Sequence, residues 1–275
     1  MAELAPIPNG LTNPNPNQPP ANDISNLEEG RSFAHTQDDS AGNNTDRPSN
    51  VRKVAAEIVG TFILIFVGCA SGFVNQRYDL TIVGVAMSWG LAVMVVIYTL
   101  GHVSGAHLNP AVTIALVVYR KFPWKQAPAY IGAQLVGSTL ASLTLKALFS
   151  KDNPKAALTL PSLHTTDLDT FVWEFIISFI LMFVICGVGT DHRAIKELTG
   201  VAVGGAILFN VLIAGPITGA SMNPARTLGP AIAAHKYDSL WIYLTAPVAG
   251  TVFAAVLYDF LQLPNKSEEQ TVKTV

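Results

Sequence analysis

Charged side chains are scarce in this chain, at 13% of 275 residues, against about 25% in an ordinary soluble domain. The 17 Lys and Arg nearly balance 19 Asp and Glu, and no domain-sized basic face appears, which excludes nucleic acid as a partner. Cysteine is almost missing: Cys69 and Cys186 both sit inside apolar runs, so a disulfide scaffold is excluded. His102, His107 and His192 lack the spacing of metal ligands, so no metal or other cofactor is implied. No catalytic constellation is visible, and an enzyme is the least favoured class. What the chain holds instead is apolar bulk. Half its residues are hydrophobic and its mean hydropathy is +0.38, although its first fifty residues are strongly polar.

A helix of roughly 20 apolar residues crosses about 30 Å of hydrocarbon. Six stretches qualify: 54–74, 81–101, 126–145, 171–190, 198–218 and 239–260. The expectation is an all-α, multi-pass integral membrane protein. An even number of crossings puts both termini on one side. That side would hold Arg52, Lys53, Arg120, Lys121, Lys125, Arg193 and Lys196, against Arg77, Lys146, Lys151, Lys155 and Lys236 opposite. The excess predicts cytosolic termini, in the plasma membrane or endoplasmic reticulum. Residues 1–50, rich in Asn, Pro, Ser and Asp, read as a disordered cytosolic tail without the apolar core of a signal peptide. Residues 263–275 read as a short second tail. Glycosylation patterns at Asn43 and Asn265 fall in these tails and are predicted to be unused.

Between the tails, residues 51–262 form one membrane domain built from two copies of a unit, 51–150 and 168–262. Residues 56–67 match 173–184 at a shift of 117 (173 minus 56), which pairs Glu57 with Glu174 and Cys69 with Cys186. Small residues recur every fourth position in the third and sixth spans, at Ala133, Gly137 and Ala141 and at Ala246, Gly250 and Ala254, a pattern that lets helices approach closely in lipid. Three spans per copy force the second copy to enter the membrane inverted. Inverted repeats are a transport architecture, with the site near the midplane between the halves.

Gly105-Ala106-His107-Leu108-Asn109-Pro110-Ala111-Val112 parallels Gly219-Ala220-Ser221-Met222-Asn223-Pro224-Ala225-Arg226. Asn followed by Pro starts a helix: Asn caps free N–H groups, and Pro110 or Pro224 fits the first position. The apolar runs that follow, 111–119 and 225–234, span only half a membrane at 1.5 Å per residue. In inverted halves they enter from opposite faces and meet tip to tip, each tip carrying roughly half a positive charge. If each Asn oxygen caps its own helix, the amide N–H groups of Asn109 and Asn223 are left to donate into a lumen. A water or hydroxylated solute offers an oxygen to both; a cation or hydrated proton meets a repulsive field.

With these segments the chain resembles the major intrinsic proteins (the aquaporin superfamily), and among them the plant nodulin-26-like group, from about residue 54 to 261. The resemblance implies an hourglass of six transmembrane helices and two re-entrant half-helices, assembled in lipid as a homotetramer with one pore per subunit. It also implies a selectivity filter of four residues, here Trp89, Val211, Ala220 and Arg226. Arg226 is permanently charged and carries fixed donors, Trp89 gives an apolar wall with one donor, and Val211 and Ala220 donate nothing. One apolar face against one donor face suits glycerol and similar small neutral solutes, with slower water. The expected function is a passive channel for such solutes and water that excludes protons and cations. Two alternatives stay open: a channel for lactic acid or for metalloids such as arsenite, boric or silicic acid, and a structural membrane protein with a vestigial pore. Glu57 and Glu174 are expected to be structural, accepting hydrogen bonds from re-entrant loop backbone.

Overall fold

The computed structural model describes residues 48–191 and 193–263; the expectations for the two tails and for His192 fall outside them. Among the described residues all regular structure is helical. In chain order the α-helices are α1 (Asn50–Tyr78), α2 (Thr81–Ser104), α3 (Pro110–Val118), α4 (Ala127–Leu148), α5 (Asp167–Ile185), α6 (Thr199–Thr218), α7 (Pro224–Ala234) and α8 (Leu240–Leu261). Six helical segments are long and apolar enough to cross a membrane: Asn50–Tyr78, Thr81–Ser104, Trp124–Leu148, Asp167–Thr190, Lys196–Thr218 and Leu240–Leu261. The chain is a multi-pass integral membrane protein. α3 and α7, with 9 and 11 residues, reach only about 14 and 17 Å.

Helix ends differ from the apolar runs by a few residues, for a physical reason. α1 begins at Asn50, where the Ser49 hydroxyl accepts from the Arg52 N–H, so Asn50 belongs to the helix rather than to the tail and the first turn, with Arg52 and Lys53, precedes the apolar run. α5 continues into a π-helical turn, Cys186–Thr190, that closes the fourth span.

Packing repeats the internal symmetry. α1 lies against α4, α5 lies against α8, and α2 crosses α6. The small residues decide how closely they approach. A side chain on Gly137 would strike the Ile58 carbonyl, and one on Gly250 the Phe175 carbonyl. The two contacts match between the halves, pairing Ile58 with Phe175 at a shift of 117 and Gly137 with Gly250 at one of 113 (175 minus 58, 250 minus 137). Where α2 crosses α6, a Cβ on Gly90 would stand 2.6 Å from the Gly204 carbonyl oxygen, and one on Gly204 2.7 Å from that of Gly90. With no hydrophobic force between helices in lipid, such backbone contact is what packing has to offer.

The segment between the halves folds over the base of α7. Leu158 and Thr159 are buried, the Thr159 and Thr227 hydroxyls are 2.8 Å apart, and the Ser162 N–H donates to Ile217 O at 2.8 Å. Its start is tied to the end of α1 by a two-pronged ion pair between Arg77 and Asp152, at 2.9 and 2.5 Å.

Candidate functional site

The loops that lead into α3 and α7 take one unusual path twice. Gly105, Ala106 and Leu108 have φ of 87°, 47° and 55°; Gly219, Ala220 and Met222 have 84°, 44° and 53°. Left-handed backbone of this kind cannot join a helix ladder, so its N–H groups need other acceptors inside the membrane. Two fully buried carboxylates serve them. Glu57 accepts from the N–H of His107 (3.0 Å) and Leu108 (2.8 Å), from the Ser104 hydroxyl (2.7 Å) and from the Gln134 amide (2.8 Å). Glu174 accepts from the N–H of Ser221 and Met222 (both 2.9 Å) and from the Thr218 hydroxyl (2.7 Å). A buried carboxylate is tolerable only with this many donors. Both hold loop backbone, with side-chain donors completing their partners.

Asn109 and Asn223 cap the half-helices. Their side-chain oxygens accept from the N–H of Ala111 and Ala225, each at 2.9 Å, with Pro110 and Pro224 at the first helical position. The expectation of wholly free amide N–H groups needs correction. Asn109 Nδ2 donates to Met222 O and Asn223 Nδ2 donates to Leu108 O, both at 2.8 Å. The left-handed turns at 108 and 222 bring those carbonyls within reach, so the two tips are latched together and each amide keeps one N–H to spend. The half-helices are also held from outside: the Ser138 hydroxyl donates to Ala225 O (2.6 Å) and the Thr251 hydroxyl to Ala111 O (3.1 Å).

A cavity of about 140 Å³ runs past this latch, lined by both asparagines together with Trp89, Val211, Ala220 and Arg226. A water needs only ~10–15 Å³ on that measure, so the space holds several. Arg226 is 6% exposed. One guanidinium nitrogen donates to Ala157 O at 2.5 Å, and the group lies 4.9 Å from the centre of the Trp89 ring, a cation–π arrangement. Among the described residues no carboxylate pairs with it, and its buried Nε–H has no protein partner. The positive charge thus stands without a carboxylate beside the lumen, while the Nε–H itself is closed off from it. Lys121, Gly189 and Thr190 line the cavity towards its other end.

The family model described as "Major intrinsic protein" matches residues 44–258. The chain belongs to that family. It is 52% identical over 226 residues to Aquaporin NIP1-1 of Oryza sativa subsp. japonica (82% of this chain, 79% of the relative). It is 51% identical over 226 residues to Nodulin-26 of Glycine max (82% and 83%). Among solved structures it is similar to the aquaglyceroporin from Plasmodium falciparum, with a TM-score of 0.69 and 33% identity over 77% of this chain and 96% of that one. A member of this family is a membrane channel and not an enzyme.

The sequence reading missed two sets of residues. Ser104 and Thr218 stand at matching places before Gly105 and Gly219, so the repeat itself held a signal for them. Ala157, whose carbonyl grips Arg226, carries none: a lone alanine in a connecting segment contributes only its backbone.

Proposed function

We propose that the chain is a passive channel for glycerol-sized neutral solutes and for water, with Trp89, Val211, Ala220 and Arg226 as its filter. The observation that carries this reading is that the four side chains and both capping asparagines line one cavity. A polyol slides its carbon chain along Trp89, Val211 and Ala220 while its hydroxyl oxygens accept from Arg226. At the latch an oxygen accepts the remaining N–H of Asn109 and Asn223. A cation loses its hydration shell against Arg226 and against two helix N-termini, each near half a positive charge. The likeness to an aquaglyceroporin at 33% identity supports glycerol as the model solute.

The functional unit is residues 51–262, in two inverted halves. Arg120, Lys121, Lys125, Arg193 and Lys196 cluster at the end that holds the α1 N-terminus, which favours cytosolic termini, in a plasma or endoplasmic reticulum membrane. Four copies in lipid, one pore each, complete the reading. Stopped-flow shrinkage of proteoliposomes tests it: water and glycerol fluxes with low activation energy and no proton leak are expected. A panel adding lactic acid, arsenite and boric acid ranks the solutes, and a wild-type protein that passes none of them would mark a vestigial pore.

A further inference from the structure

The filter has a mirror image that shares none of its polarity. Across α2 and α3 against α6 and α7 the halves run in a single register of 114, which pairs Gly90 with Gly204, Gly105 with Gly219 and Asn109 with Asn223 (204 minus 90, 219 minus 105, 223 minus 109). The reciprocal contact of Gly90 with Gly204 and the crossed latch of Asn109 and Asn223 obey that register in space. Applied to the filter, it places Val203 opposite Trp89, Ile97 opposite Val211, Ala106 opposite Ala220 and Val112 opposite Arg226. All four counterparts are buried and line the same cavity as the filter.

We propose that Val203, Ile97, Ala106 and Val112 form an apolar collar beyond the latch, a second selection step that sorts solutes by the cost of leaving their oxygens without donors. This step rests on the conduction reading above. None of the four side chains can donate a hydrogen bond. At these four positions a solute oxygen finds no side-chain donor, unlike at Arg226; His107, Thr190 and Thr199 line the cavity outside the collar. Valine is also smaller than tryptophan or arginine, so the collar is a dry stretch rather than a tight sieve. Shape is read at one ring and hydration at the other.

Reconstituted full-length chain tests this. Ile97→Asn puts one amide donor into the collar, and Ile97→Leu keeps it apolar at the same size. Water flux through Ile97→Asn should rise about threefold to tenfold, the yield of one net hydrogen bond, with a lower activation energy and a higher water-to-glycerol ratio. Ile97→Leu should match wild type. Val203→Trp copies the filter's indole and should cut glycerol at least roughly tenfold while sparing water, a size effect of sieving. It stands as the readout if Ile97→Asn fails to fold. Unchanged water-to-glycerol ratios in a folded Ile97→Asn protein, or unchanged glycerol flux in Val203→Trp, would overturn the collar. A wild-type protein without flux would overturn the conduction reading instead.

Discussion

Three residues after Asn109 the first half carries Val112; three after Asn223 the second carries Arg226. Around that difference the halves agree closely. Glu57 and Glu174 hold the loop N–H groups, and the Tyr130 and Tyr243 hydroxyls donate to the carbonyls of Ser104 and Thr218 at 2.8 and 2.7 Å. Each asparagine latches the opposite loop. Both halves face the same problem, irregular backbone inside hydrocarbon, and both solve it in the same way. Recognition is different. On the proposed filter a solute passes the halves in series, so one polar ring suffices and the other half is free to stay apolar.

Substitutions that act on the shared machinery should cost most. A glutamine at either buried glutamate turns an NH₂ towards backbone N–H donors. Each of Glu57→Gln and Glu174→Gln should destabilise the fold by about 3 kcal/mol, read as a lower unfolding midpoint in detergent. The two should not be equal. Gln134 Oε1 is buried without a partner, so the Gln134 amide can turn to accept from a glutamine at 57. Among the described residues no side-chain amide donates to Glu174, which should suffer more by about 1 kcal/mol. Equal losses would break the claim that the first network has slack.

Arg226→Val makes the second half copy the first. Cation leak should rise on the order of tenfold, the loss of ~1.4 kcal/mol of barrier, measured as conductance in planar bilayers. An unchanged leak would shift exclusion wholly onto the helix tips. Val211→His adds a donor to the apolar wall and narrows the gap. The water-to-glycerol flux ratio should rise several-fold, and an unaltered ratio would remove Val211 from the filter.

What was legible beforehand follows from the range of each interaction. Helix caps are local, so Asn109-Pro110 and Asn223-Pro224 announce α3 and α7 directly, and the repeat says that they meet. All six crossings are visible as apolar runs because lipid rewards nothing else. Helix ends such as Asn50 were missed where the first turn is polar. The latch, the grip of Ala157 on Arg226 and the π-helical turn at Cys186–Thr190 were not visible. The first two depend on backbone carbonyls that tertiary packing brings within reach, the third on a local bond from Asp191 N–H to Cys186 O, and backbone atoms are the same in every residue.

Smaller effects probe how the polar ring is seated. A Cβ on Gly68 would overlap the Trp89 indole, whose ring centre lies 4.9 Å from the Arg226 guanidinium. Gly68→Ala therefore pushes the indole into the lumen. Overpacking of this kind costs ~1–3 kcal/mol when it cannot relax. With a mobile indole the expected result is a roughly twofold to threefold fall in glycerol flux, and less in water. Equal losses for both solutes would mean that Trp89 does not set the aperture.

The smallest effect concerns the connecting segment that delivers Ala157 to the filter. The Arg77 guanidinium, hydrogen-bonded to Asp152, holds that carboxyl below its ordinary range. A carboxyl with a lowered folded pKa stabilises above its unfolded value near 4 and loses that contribution as pH falls through the folded value. The pair lies at the surface, where screening keeps such bridges weak. Asp152→Asn should thus lower the unfolding midpoint slightly at pH 7 and not at all once the pH has fallen below the lowered folded value, where wild type has lost the same bridge. If Asp152→Asn also loosens the grip on Arg226, cation leak will rise with it at neutral pH. A stability change without a leak change would separate anchoring of the segment from positioning of the filter.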